Sequence, residues 1–486
     1  MRFAYNHAPI DFHFSHTPRD FVVQEIPLYE FSGKGEHQII QVRKKNLSTF
    51  ELLKILSAHF GVHIKSIGYA GLKDKSATTT QFLSLPRVKN LESTFENIAK
   101  SHEIKLISST LHDNKLKLGH LKGNRFFIRL KKITQANATR LESALSDIAR
   151  EGFPNFFGFQ RFGVDGDNYL LGRALGVKGS KNAGGAGGAA SFESAENAGG
   201  VPLALRNAFG AGLDSGASNF SKNIPPNILQ SLARNKRMRN FLISSYQSFL
   251  FNAWLEARVR LSIWRKTLDI SQMREMVENL KAENLKKARE STLKNLAQDS
   301  AILQDFASRD STILQNFGIS QNQSAPNPID SILANALDEA AILSLYQQPQ
   351  RFMLLPGEIC CHYPYGKFFC LESITPHDYE RFGARDIAPT GALSGENLKR
   401  ASQNALSVEK AFLDNILAKG SRRYAWVWAS DVECAYNPQN AHFELHFTLP
   451  KGAYATSLLE QLGNRKLDSS NVRMLESAPN DYDAPE

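Results

Sequence analysis

The chain has 486 residues, with 58 Lys+Arg against 48 Asp+Glu, a formal charge of +10 and a sequence pI near 9.2. That length is too great for one ordinary core and predicts two domains with insertions, and the basic balance suits a polyanionic partner better than an anionic small molecule. The cysteines, Cys360, Cys361, Cys370 and Cys434, match neither zinc spacing nor a secreted disulfide framework, so mostly buried, reduced thiols are expected.

The N-terminus "MRFAYNHAPIDFHF" has no apolar signal-peptide core, and no stretch reaches about 18 uninterrupted apolar residues. A soluble, cytoplasmic protein with no membrane partner is the expectation. In chain order, "FVVQEI" and "HQIIQVR" read as strands. Residues 48 to 61 read as a helix with Ser48 and Glu51 as a capping box, Phe50, Leu53, Leu56 and Phe60 on one face, and Gly61 as the stop. "IKSIGYAG" and the β-branched "SATTTQFLSL" read as two further strands. "NRFFIRLKKI" alternates, with Phe126, Ile128 and Leu130 on one face. A helix follows, with Asn137 as its cap, Leu141, Leu145 and Ile148 on its buried face and Gly152 at its end.

The middle of the chain is less regular. Residues 179–222 are a Gly/Ala/Ser/Asn run expected to be a flexible loop, and residues 265–345 read as loosely packed helices or partial disorder. "RRYAWVWASDVECAY" and "AHFELHFTLP" then read as two late strands, the second with Phe443, Leu445, Phe447 and Leu449 on one face. Two strands alone are marginal, so they are expected to rejoin the early sheet and make the middle an insertion. Residues 471–486 read as a disordered tail.

"GYAGLKDKSATTTQF" sets one acid, Asp74, between Lys73 and Lys75 in a turn between strands. Such an acid is ordinarily a solvated turn residue. Two neighbouring ammonium groups would keep it ionised, fit to act as nucleophile or base, and could steer a phosphate backbone toward it. In "LGHLKGNRFFIRL", Asn124 offers an amide that can bond a carboxylate or a base edge, and Phe126 offers either a stacking face or a core side chain. "NFFGFQRFG" places Arg161 among phenylalanines, and Arg161 joins Lys73 and Lys75 as an RNA-contact candidate. "LARNKRMRNFLISSYQSFLFNAWL" puts Arg234, Lys236, Arg237 and Arg239 ahead of Tyr246, Phe249 and Trp254, a basic surface suited to phosphate beside an aromatic, buried side. "GVKGSKN" lacks phosphate-loop spacing, and His362 beside the cysteine pair has no complete ligand set, so neither nucleotide hydrolysis nor a metal site is supported.

Six motifs, "GYAGLKDKSATTTQ", "LGHLKGNRF", "PNFFGFQRFG", "ARNKRMRNFLISSYQSFLFN", "PTGALSG" and "LPKGAYATSLL", occur in the order found in TruD-type tRNA pseudouridine synthases, and "PRDFVVQEI" and "GKGEH" belong to the same set. The chain resembles that family from residue 18 to about 462. The resemblance implies an α+β fold: a pseudouridine synthase domain with a bent, mixed or antiparallel central sheet (1–154 and 422–470), and an inserted α/β TruD-specific domain (155–421). It implies isomerisation of uridine 13 of tRNA to pseudouridine, with Asp74 as nucleophile, adding to the sugar or assisting a glycal route by proton abstraction. Phe21, Asn124, Phe126 and Tyr454 are implied to line the pocket for the flipped base. Tyr454 stands where the family pattern has phenylalanine, which keeps a ring and adds a hydroxyl. tRNA is the implied partner, with no obligate protein partner, and substrate and product are isomers, so no cofactor or metal is implied. The competing readings are a tRNA-binding or folding module whose catalysis is incidental, and a nucleoside hydrolase, which would need a second carboxylate or an activated water.

Overall fold

The computed structural model describes residues 3–73, 75–163, 166–177, 231–299 and 327–467. Asp74, the 179–222 run, residues 300–326 of the predicted loose helices, and the tail from 468 lie outside the described residues. The chain divides into two compact units, one built from 3–160 with 426 onward and the other from 161–425.

The first stretch of the outer unit contains β1 (His13–Phe14), β2 (Phe21–Pro27), β3 (His37–Lys45), α1 (Thr49–Phe60), β4 (Gly68–Tyr69), β5 (Thr78–Pro86), α2 (Leu91–Ser101), β6 (Ile104–His112), β7 (Leu121–Lys131), α3 (Gln135–Glu151) and β8 (Phe153–Pro154). α1 has the predicted capping box: Ser48 Oγ accepts from Glu51 N, Glu51 Oε2 accepts from Ser48 N, and Gly61 closes the helix at φ +63°. α3 departs from expectation. Thr134, not Asn137, is its cap, its hydroxyl accepting from the Asn137 amide at 3.2 Å. Either side chain can cap, and the chain turns helical three residues earlier than the apolar pattern indicates. "IKSIGYAG" is likewise not one strand but a short 3-10 turn at Ile64–Ser66 followed by the two-residue β4.

The inserted unit holds α4 (Asn168–Gly176), α5 (Lys236–Thr267), α6 (Ile270–Asp299), α7 (Pro328–Ala336), α8 (Glu339–Gln347), β9 (Glu358–His362), β10 (Phe368–Leu371), α9 (Pro376–Gly383), β11 (Ile387–Leu393), α10 (Gln403–Glu409) and β12 (Ser421–Tyr424). Its antiparallel sheet runs β10-β9-β11-β12. α5 packs on α4 and β11. Gly172 permits the approach to α4, because a Cβ there would lie 1.9 Å from the Leu242 carbonyl oxygen. Tyr246 and Trp254 face inward as predicted, and Phe249 stacks on Tyr169 at 4.1 Å. The predicted loose helices are firmer than expected where described: Leu333, Leu337 and Leu345 are fully buried. Two buried ion pairs, Arg258–Glu358 at 2.7 Å and Arg422–Glu409 at 2.6 Å, brace the unit. Cys360 and Cys361 are buried as expected, while Cys434 in the outer unit is exposed.

The returning segment carries β13 (Trp426–Val427), β14 (Ser430–Asn437), β15 (His442–Pro450) and α11 (Ala455–Gly463). The strand predicted over "RRYAWVWASDVECAY" is therefore three: β12 in the inserted unit's sheet, β13 paired with β8, and β14 beside β15. Period-two alternation continues through the point where the chain leaves one unit for the other, so the pattern hides the break. The late strands do rejoin the early sheet, which runs β14-β15-β7-β2-β5-β3-β6, with β1 against β7 and β4 against β5. It is mixed, because β2 and β5 are parallel and the other pairs antiparallel. Phe443, Leu445, Phe447 and Leu449 are fully buried, each stabilising the fold by about 1.5–3 kcal/mol. α1 and α2 close a second cluster over Ile40, Val42, Leu83 and Leu85.

Candidate active site

Sheet register brings Phe21, Asn124 and Phe126 together. β7 pairs with both β2 and β15, so Asn124 lies opposite Glu25 on one side and Leu449 on the other. Alternation puts Asn124, Phe126, Ile128 and Leu130 on one face, and the neighbouring Phe21, Val23 and Glu25 share it, all but Asn124 buried. This face is apolar along most of its length and polar at one end. Phe126 stacks on Phe447 at 5.3 Å and lies 6.1 Å from Phe21, and Phe21 lies 4.3 Å from the His16 ring. Gly123 allows the close pairing beside Asn124, because a Cβ there would sit 2.2 Å from the Leu449 carbonyl oxygen.

The polar end holds Lys73. Its ammonium sits 2.8 Å from Glu25 Oε2 and donates to Asn124 Oδ1 at 2.7 Å, with the two charged side chains only 5% and 1% exposed. Its backbone N–H donates to Thr49 Oγ1 at 2.9 Å, and that hydroxyl donates to Gln81 Oε1 at 3.1 Å. Side chain and backbone thus pin residue 73 to β2, β7 and the start of α1, and through Thr49 to β5. Because lysine only donates, the contact fixes the Asn124 amide with its carbonyl toward Lys73, leaving its N–H donors for a carboxylate or a base edge. Burial pushes the Glu25 carboxyl above its ordinary range, against the opposing pull of the Lys73 charge and of the Phe82 amide that donates to Oε1 at 3.2 Å.

Asp74, between the two lysines in sequence, is outside the described residues, but both neighbours are not. Lys75 is exposed and pairs with Glu51 at 2.9 Å. The flanking ammonium groups, read from sequence as free to steer phosphate, are each matched by a glutamate, and Lys73 is buried as well. The sequence reading misses Glu25, Thr49 and Gln81. One signal is present for Glu25: it occupies an inward position of "FVVQEI", where a charge requires a buried partner.

Tyr454 belongs to a different set of contacts. It precedes α11, lies 6.0 Å from the Phe157 ring and closes against Gly158, where an added Cβ would meet its ring at 3.2 Å. It follows β15, whose Leu449 and Pro450 lie opposite Asn124 and Gly123.

In the inserted unit Arg161 is engaged with α5: its guanidinium donates to Ser244 and, at 3.3 Å, to Ser248, and it lies over the Phe241 ring at 5.5 Å. Arg234, Lys236 and Arg237 are exposed ahead of and along the first turn of α5, while Arg239 is half-buried. Asn235 caps that helix by accepting from Met238 N at 3.1 Å.

The family model described as tRNA pseudouridine synthase D (TruD) matches residues 2–193. The tRNA pseudouridine synthase D of Helicobacter hepaticus is 40% identical over 463 residues, covering 95% of each chain. That of Wolinella succinogenes is 38% identical over 464 residues, 95% of this chain and 97% of the other. A solved structure from Methanosarcina mazei, assigned to tRNA pseudouridine synthase D (TruD), aligns with a TM-score of 0.54 over 97% of both chains at 20% identity, which speaks for the fold. The fold class is the expected α+β arrangement around a mixed sheet. The chain belongs to the tRNA pseudouridine synthase D family.

Proposed function

We propose that the protein isomerises uridine 13 of tRNA to pseudouridine, with Asp74 as the nucleophile and the target base flipped into a pocket near Phe21, Asn124, Phe126 and Tyr454. The observation that carries this reading is the anchoring of Lys73. The residue next to the acid is buried between Glu25 and Asn124, at the polar end of a face that carries Phe21 and Phe126. A solvated turn residue would not need a neighbour held by Glu25, Asn124 and Thr49 at once. Asn124, oriented by Lys73, has its N–H donors available to align the Asp74 carboxylate or the uracil edge.

In the reaction the C1′–N1 bond breaks, the uracil rotates, and C5 joins C1′. The C5 proton leaves to water and N1 gains one, so no electrons are exchanged. Asp74 acts at the sugar. Glu25 takes up the charge of Lys73, which makes the lysine a positioning residue rather than a phosphate contact. The unit from 3–160 with 426 onward is read as catalytic and the 161–425 unit as an RNA-gripping insertion, with Arg234, Lys236 and Arg237 as its phosphate contacts. A tRNA substrate implies a cytoplasmic location.

The test is tritium release from tRNA labelled at uridine C5, with the product mapped by position. Release with pseudouridine at position 13 supports the reading. Tight tRNA binding without release would favour a folding module, and free uracil a hydrolase.

A further inference from the structure

The loop between β4 and β5 is inverted relative to an ordinary surface turn. Lys73 is buried, whereas Leu72 beside it is 57% exposed. The loop leading into β7 carries Leu118, at 71% the most exposed large hydrophobic side chain among the described residues. These two loops adjoin: Gly119 N–H donates to the Ala70 carbonyl at 2.7 Å, and a Cβ on Gly71 would lie 3.7 Å from Leu121 Cδ1. Single exposed leucines need no explanation. Two on hydrogen-bonded loops, one of them two residues ahead of the proposed nucleophile, do.

The charge around them selects the occupant. Within four residues of Leu118 the sequence holds Lys115, Lys117 and Lys122, and Lys451 donates to the Gly119 carbonyl at 3.3 Å, adding another cation beside Leu118. A second copy of this chain would bring like charge to like charge. A nucleic acid brings phosphates to the lysines and base faces to the leucines.

We propose that Leu72 and Leu118 form an apolar wedge that enters the RNA base stack and fills the space left by the extruded uridine. This rests on the isomerase reading given above. Extrusion removes the stacking of the target base on its neighbours, and an apolar side chain covering their exposed faces offsets part of that loss and prolongs the flipped state. The buried Lys73 side chain fits the same design, because pinning residue 73 inward leaves Leu72 projecting outward.

The test uses full-length protein and a tRNA transcript with 2-aminopurine next to the target uridine. Single-turnover pseudouridine formation and the fluorescence change on binding are measured for wild type, for the Leu72→Ala/Leu118→Ala double variant and for Leu72→Met/Leu118→Met. The wedge predicts that the alanine variant, with an unchanged melting temperature, reacts roughly tenfold to a hundredfold more slowly and loses the fluorescence rise that reports unstacking. The methionine variant keeps both. An alanine variant within about twofold of wild type, or one that is slow yet gives the full fluorescence rise, overturns the wedge. A wild-type protein that forms no pseudouridine overturns the isomerase reading instead.

Discussion

Lys73 and Glu25 form an ion pair whose side chains are 5% and 1% exposed, so changing one partner leaves the other charged and buried without compensation. For such a pair the cost of removing one partner is about 3–5 kcal/mol. In a domain of this size each kcal/mol moves the melting temperature by about 2–4 °C, so Glu25→Gln and Lys73→Met should each lower it by roughly 6–20 °C. The double variant Glu25→Gln/Lys73→Met removes both charges and should recover to within about 1 kcal/mol of wild type. Its activity should not recover. Without Lys73 no other described side chain donates to the Asn124 carbonyl, and misplacement of a positioning group by about 1 Å can cost about a hundredfold. Thermal unfolding and tritium release, measured on the four proteins of the cycle, give both numbers. A single variant that costs less than about 1 kcal/mol, or a folded double variant as active as wild type, would refute this role for the pair.

Replacing the exposed Arg234, Lys236 and Arg237 with Gln should weaken tRNA binding across sequences and lower the salt dependence of log Kd by nearly one for each phosphate no longer engaged. An unchanged salt slope would remove these side chains from the interface. Asp20 gives a pH prediction. Burial raises its carboxyl, but the hydrogen bonds from Lys131 and Thr17 and the charges of Lys131 and Arg129 outweigh burial and hold it below its ordinary value. Its folded value is thus depressed, so its stabilisation is present above the unfolded value and lost as pH falls through the folded one. The melting temperature of wild type should therefore converge on that of Asp20→Asn as pH drops through and below the ordinary aspartate value of about 3.9. A constant gap over that range would contradict the assignment.

Local chemistry is legible wherever it acts over a few residues. The Ser48/Glu51 box, Gly61 and the inward faces of β7 and β15 follow from spacing alone. The α3 cap escapes the pattern because Thr134 and Asn137 are both competent and the apolar spacing does not say where the first turn starts. The β12 to β14 run reads as one strand because alternation carries no mark of which sheet a strand joins. In the candidate site, Asn124, Phe126 and Phe21 can be named from motifs. The fate of Lys73 cannot, since Glu25 lies far before it in the chain and Asn124 far after it, and only the register of β2 and β7 unites them. The exposure of Leu72 follows from that burial and is equally hidden.

Asp74 is the residue proposed to perform the isomerisation. Purified wild type and Asp74→Asn should be compared for tritium release from C5-labelled tRNA at matched melting temperature and matched tRNA affinity. The variant should lose roughly 10⁴-fold or more of the wild-type rate. Release by Asp74→Asn at a rate near that of wild type would contradict that role.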